Sequence, residues 1–250
     1  MKIEFYKEKS LKMIILKPTK KKAIASLLWI HGGGYITGMA SMVFMSRARN
    51  LVDKFGIIVV SPEYRIHPYP IPLEDCYQGL QYIRSFNLPI MVGGESAGGG
   101  LCAALCHYVR DKGEHDIQYQ FPLYPMIDYR DTPSSKDNHA PIWDTKKNHK
   151  GWAYYLKNIK GDIPKYASIA LETDYSHLPP TYTFVGTIEP FYCETLDYIK
   201  NLKESNIEAH VDIYPNCFHA FDMLFPFKKE SKKAIHKFEK EFEKALKEII

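Results

Sequence analysis

The sequence predicts an α/β fold, a mostly parallel, doubly wound sheet covered by helices on both faces. Three observations predict it. The chain has 250 residues, of which 45% are hydrophobic and 14% aromatic, enough apolar material to bury one substantial core. Short runs rich in β-branched and apolar residues recur along it, and helix-length amphipathic stretches separate most of them. Two of these runs end directly in glycine-rich turns, which is how strand-to-helix crossings begin.

The expected strands are Met13 to Leu16, Ile24 to Ile30, Gly56 to Val60, Pro89 to Val92, Tyr119 to Tyr124, Thr181 to Val185 and Ala209 to Tyr214. Strands buried on both faces read as continuous apolar runs, as most of these do. The expected helices are Leu73 to Phe86, Ser96 to Lys112, Phe191 to Ser205 and Lys228 to Ile249. In the last, Ile235, Phe238, Phe242, Leu246 and Ile249 recur at three-to-four-residue spacing, so one stripe faces the sheet and the lysines face water. Between Asp128 and Pro180 the rhythm breaks. A structureless segment of that length is not expected inside a compact domain, so it reads as an insertion with some helix, Lys146 to Leu156. The expectation is a single domain, residues 1–250, with a cap or lid insertion at 129–178.

The net charge of +4 comes from lysines spread through lysine-rich stretches with acidic neighbours, not from a concentrated basic face. Nucleic acid is therefore not an expected partner. Cys76, Cys102, Cys106, Cys193 and Cys217 form no C-x-x-C pair and no metal-ligand spacing. Free thiols in a reducing compartment are the preferred reading. Met1 to Lys7 has no apolar core of signal-peptide length, and no segment reaches the roughly 18 apolar residues of a membrane span. These features lead to the expectation of a soluble, cytoplasmic protein with no membrane partner; a homodimer is compatible with the sequence.

The chemistry is concentrated in three places. Gly94-Glu95-Ser96-Ala97-Gly98 fits G-x-S-x-G, after an apolar strand and before a helix. That context exposes a serine hydroxyl at the sheet's carboxyl edge and turns helix amides toward it. An ordinary glycine-rich turn is the competing reading, and the setting disfavours it. His31-Gly32-Gly33-Gly34 follows the strand Ile24 to Ile30. The amides of Gly33 and Gly34, with that of Ala97, form a candidate oxyanion hole. A phosphate loop would carry a lysine followed by Ser or Thr, and Tyr35-Ile36-Thr37-Gly38 does not supply it. His219, past the strand Ala209 to Tyr214, is placed to act as a base. A lone histidine is more often a core or surface residue, but the upstream motifs reverse that preference. The acid should lie between Ser96 and His219 in the chain. Glu189 is the first choice because it follows the strand Thr181 to Val185; Asp174, Glu194 and Asp197 compete.

These residues resemble the hormone-sensitive lipase-like family of α/β-hydrolase esterases over about residues 25–225. The family's H-G-G-G reads His31 to Gly34, and its G-[DE]-S-A-G-G reads Gly94 to Gly99. Further matches are Glu63-Tyr64-Arg65-Ile66-His67-Pro68, Leu73-Glu74-Asp75, Tyr124-Pro125 and Leu178-Pro179-Pro180. Two departures stand out. The family's D-P-L reads Glu189-Pro190-Phe191, with an acid one methylene longer, and too few residues precede His31 for the family's amino-terminal cap helices.

The resemblance implies an α/β-hydrolase fold with a reduced helical cap and a serine carboxylesterase acting on small-acyl, acetyl-type esters. Ser96 would be the nucleophile, His219 the base and Glu189 the acid, with no metal or organic cofactor. Tyr35, beside the glycines, is a candidate substrate contact, and Trp143 and Trp152 are candidate pocket aromatics, although such side chains more often pack a core. A peptidase or amidase would use the same triad. A non-catalytic binding module on the same fold would be expected to lose a triad member, and all three are present.

Overall fold

The computed structural model describes residues 1–8 and 10–250. Its eight strands are β1 (Lys2–Glu8), β2 (Leu11–Lys17), β3 (Ala25–Ile30), β4 (Ile57–Pro62), β5 (Ile90–Glu95), β6 (Ile117–Leu123), β7 (Thr181–Gly186) and β8 (Ala209–Tyr214). They form one sheet in the order β1-β2-β4-β3-β5-β6-β7-β8. β1 and β2 run antiparallel at one edge, and from β4 to β8 every pairing is parallel. All seven expected strands are present.

The helices are α1 (Arg47–Leu51), α2 (Ile71–Arg84), α3 (Ala97–Asp111), α4 (Thr145–Leu156), α5 (Tyr192–Glu204), α6 (Phe221–Leu224) and α7 (Lys229–Ile249). Alternate side chains of each strand serve opposite faces. Leu28, Ile30 and Val92 pack toward α2, α3 and α5. Leu27, Trp29, Phe121 and Phe184 pack toward α1 and α7. In α7 the buried stripe runs through Ala234, Phe238, Phe242, Ala245 and Leu246, with Ile235 and Ile249 at its margin. Nearly every residue of α3 is buried, as befits a helix in the middle of one layer.

The sequence reading has no counterpart to β1. Its residues alternate but stay largely in water, Phe5 included, although Tyr6 stacks on Tyr82 of α2 at 4.5 Å, because an edge strand outside the core needs no continuous apolar face. The short helical turns at 40–56 and α6 also escape a reading based on periodicity, each spanning too few residues. Between β6 and β7, segment 129–178 contains α4, capped by Asp144 accepting from the Lys147 amide, and a 3₁₀ turn at Ile169–Leu171. Trp152 and Tyr155 of α4 join the core on the α3 side. Among the described residues all five cysteines are unpaired, and no helix is long and apolar enough to cross a membrane.

Parallel strands leave their carboxyl ends on one edge, and β3, β5, β6, β7 and β8 are consecutive neighbours there. The loops after them bring together the glycine run, the serine turn, Tyr124, Glu189 and His219. Such an edge is where open α/β sheets carry their sites.

Candidate active site

Ser96 sits between β5 and α3 with φ 57° and ψ −121°, a backbone that non-glycine residues adopt only when the surroundings impose it. Those surroundings are specific. The Ser96 amide donates to the Leu123 carbonyl at 3.0 Å, and its own carbonyl accepts from Gly100 and Met126 at 2.9 and 3.1 Å. Gly98 allows the turn to press against β3: a Cβ there would lie 2.1 Å from the Ile30 carbonyl oxygen and 2.5 Å from that of His31. The G-x-S-x-G pattern is thus a requirement of packing as well as of chemistry.

His219 Nε2 lies 2.9 Å from Ser96 Oγ, and His219 Nδ1 lies 2.5 Å from Glu189 Oε2. Glu189 is completely buried, and its other oxygen accepts the Gly186 amide at 2.9 Å, which fixes the carboxylate plane. The acid, although one methylene longer than the family's aspartate, is within hydrogen-bond reach of the histidine. The competitors lie elsewhere. Asp174 accepts from the Ser176 amide and hydroxyl, Glu194 accepts from the Ile127 and Asp128 amides, and Asp197 is exposed on α5.

The His219 ring is held by two aromatic edges, Tyr124 at 5.1 Å and Phe191 at 4.9 Å between centroids, with Trp143 at 6.4 Å. Tyr124 and Phe191 fall within the family motifs and Trp143 is a candidate pocket aromatic, but nothing in the sequence places any of the three against the histidine.

Ala220, next to His219, is in the left-handed region at φ 58° and ψ 28°. An L-residue pays roughly 1–2 kcal/mol there, and glycine pays part of this back in unfolded-state entropy. Ala220→Gly is expected to raise stability by about 0.5–1 kcal/mol, read from a shifted urea midpoint at unchanged slope.

The glycine run lies against the serine: a Cβ on Gly32 would be 3.2 Å from Ser96 Cβ. The Gly33 carbonyl accepts from Ile36 and Thr37, each at 3.1 Å, closing the loop. Among the described residues, the amides of Gly33 and Gly34 donate to no protein acceptor, and neither does that of Ala97, the first residue of α3. Tyr64 stacks on the His31 ring at 4.1 Å and donates to the His31 carbonyl, while burial holds the His31 imidazole below its ordinary pKa. Arg65 grips Asp75 through Nε and Nη2 at 2.8 and 2.7 Å, anchoring the segment after β4 to α2. The Glu63-to-Pro68 and Leu73-Glu74-Asp75 motifs thereby brace the glycine loop.

Tyr35 departs from expectation. It is buried, stacks on Tyr155 at 4.0 Å and donates its hydroxyl to the Met126 carbonyl at 2.9 Å. Its side chain faces the core as a prop for the glycine loop instead of a substrate. Trp152 is buried beside it, at 5.3 Å between ring centroids.

Beneath the site, Glu95 is buried and accepts from Trp29 Nε1 at 2.9 Å; burial first, then nearby Asp222, push its carboxyl up to about 8. Arg47 Nε is 3.4 Å from Asp222 Oδ2, and Arg47 Nη2 donates to the Asp222 carbonyl at 3.2 Å. This buried charge cluster joins the residue before the serine to the loop after the histidine. Glu95 is the acid of the G-[DE]-S-A-G-G motif, but no motif includes Arg47 or Asp222.

A parallel sheet with a strained serine turn, a histidine and a buried acid on three neighbouring loops defines an α/β hydrolase of the serine type. The chain belongs to the family described as alpha/beta hydrolase fold, whose model matches residues 27–223. It is 26% identical over 208 residues to Esterase LipI of Mycobacterium tuberculosis (strain ATCC 25618 / H37Rv), covering 78% of this chain and 65% of that protein. Arylacetamide deacetylase of Oryctolagus cuniculus is 29% identical over 163 residues, covering 58% of this chain and 41% of the relative. The solved structure of Bacterial Heroin Esterase superposes with a TM-score of 0.88 at 28% identity, covering 99% of this chain and 83% of that one. The chain thus spans just under two thirds of the length of LipI and less of the deacetylase. These relatives agree with the resemblance carried by the His31 and Ser96 motifs.

Proposed function

We propose that the protein is a carboxylesterase that hydrolyses small-acyl esters through an acyl-enzyme intermediate. The observation that carries this reading is the unbroken hydrogen-bonded chain from Ser96 Oγ through the His219 imidazole to the Glu189 carboxylate. Ser96 Oγ attacks the ester carbonyl as His219 Nε2 takes its proton, and Glu189 stabilises the imidazolium. The amides of Gly33, Gly34 and Ala97 receive the developing oxyanion. His219 returns the proton to the leaving alcohol; water then attacks the acyl-serine by the same route, releasing the acid. Segment 129–178 serves as the lid.

The small-acyl preference rests on the resemblance, and the name of the Oryctolagus cuniculus relative, a deacetylase, agrees with it. That name also gives the amidase reading its one specific support. The unpaired cysteines accord with a cytoplasmic setting. The test is hydrolysis of p-nitrophenyl acetate beside p-nitroacetanilide, followed by acyl chains from acetate to octanoate. Expected are an ester rate well above the anilide rate, a burst of nitrophenol stoichiometric with enzyme, and a decline toward octanoate. Equal ester and anilide rates would favour the amidase, and a maximum at octanoate would refute the acyl preference.

A further inference from the structure

We propose that Trp143 walls the alcohol side of the site and sets how large a leaving group the enzyme accepts, an inference that rests on the esterase reading. Three structural features meet at this residue. Its ring lies on the glycine loop, since a Cβ placed on Gly34 would fall 2.0, 2.6 and 2.9 Å from Trp143 Cη2, Cζ2 and Cζ3. The same ring is 6.4 Å from the His219 imidazole, centroid to centroid. It is also aimed there by its backbone: Ile142 has φ 75°, an outlying conformation for a β-branched residue, and the Trp143 amide turns back to the Pro141 carbonyl at 2.9 Å.

The ring is held from behind as well. Trp143 directly precedes Asp144, the cap of α4, and its Nε1 points to the Oδ1 of buried Asn148 at 3.4 Å. It is only partly buried, so part of the indole remains available to a substrate.

The side of the ester that meets this wall follows from proton transfer. The leaving oxygen must come within hydrogen-bond reach of His219 Nε2, so the alcohol arm leaves past the histidine. A ring that touches the oxyanion loop and stands beside the imidazole borders that arm. The acyl arm departs from the carbonyl carbon on the side away from the proton donor. Trp143 therefore filters alcohols, and the acyl limit has a separate origin. The strained Ile142 persists because α4, anchored in the core by Trp152 and Tyr155, holds the segment in register.

The test compares kcat/KM along two series in wild type, Trp143→Ala and Trp143→Phe. One series keeps acetate and enlarges the alcohol, from ethyl through p-nitrophenyl to 1-naphthyl and menthyl acetate; the other keeps p-nitrophenol and lengthens the acyl chain. Removing a pocket-filling ring is expected to raise the menthyl-to-ethyl ratio by about tenfold or more in Trp143→Ala, with a smaller rise in Trp143→Phe. The octanoate-to-acetate ratio should stay within about twofold. Asn148→Ala, which loosens the ring without removing it, should move the alcohol ratio in the same direction. Unchanged alcohol ratios in variants that still hydrolyse ethyl acetate would overturn the proposal, as would an acyl ratio that moves as far as the alcohol ratio. If the wild type hydrolysed no ester in either series, the esterase reading itself would fail, an outcome distinct from both.

Discussion

Ser96→Ala is expected to lower kcat/KM for p-nitrophenyl acetate by about 10⁴-fold or more, and the double variant Ser96→Ala/His219→Ala by nearly the same amount. The near-equality is the informative part. A serine and histidine joined at 2.9 Å act as one device, so once the nucleophile is gone the base has nothing to activate. Residual activity would come from the amides of Gly33, Gly34 and Ala97, which no substitution in the pair removes. Glu189→Gln should cost about 10⁴-fold, because an amide in place of the carboxylate can favour the wrong imidazole tautomer while leaving the Gly186 contact in place. Asp174→Asn should leave the rate within a few-fold, since that side chain is engaged with Ser176. Steady-state assays on folded protein, checked by circular dichroism, decide all four. Losses of Ser96 and His219 that multiplied in the double variant would show that the two do not work as a unit, and a collapse in Asp174→Asn would move the acid away from Glu189.

Much of this site could be read from the sequence because its demands are local. A serine on a sharp turn needs glycine at position 98 to pass the Ile30 carbonyl, and an oxyanion loop needs glycines beside the end of a strand; both leave short, specific strings. The parallel strands were equally legible, since burial on both faces forces continuous apolar runs. What could not be read is long-range or carries no pattern. β1 hides because its residues serve no core. Tyr35 misled because adjacency to a motif says nothing of which way a side chain points; its partners, Met126 and Tyr155, are about a hundred residues away in the chain. Phe191 and Tyr124 clamp His219 only after three strands have been laid side by side. Arg47 reaches Asp222 across 175 positions, and no spacing rule covers such a pair.

That same cluster yields the second large effect, a stability that falls as pH rises and is relieved by Glu95→Gln. The Glu95 carboxyl titrates near its ordinary value of 4.5 in the unfolded chain and at about 8 in the fold, chiefly because burial disfavours its charged form, with Asp222 adding to the rise and Arg47 and Trp29 opposing it. Between those two values the folded protein holds a proton that the unfolded chain has released, so folding stability declines with rising pH. The contribution is fully present below about pH 4.5 and is lost as pH climbs through about 8. Each unit of displacement is worth about 1.4 kcal/mol, so the loss is on the order of a few kcal/mol, with Arg47 sharing the charge. Glutamine keeps an acceptor for Trp29 Nε1 and cannot ionise. Urea midpoints at pH 5, 7 and 9 should therefore show wild type and Glu95→Gln alike at pH 5, and the variant progressively more stable by pH 9. Parallel curves would mean that Glu95 is charged throughout and neutralised by Arg47. Arg47→Met tests that alternative, because removing the one cation from two buried carboxylates should cost about 3–5 kcal/mol if both are ionised and much less if Glu95 carries a proton.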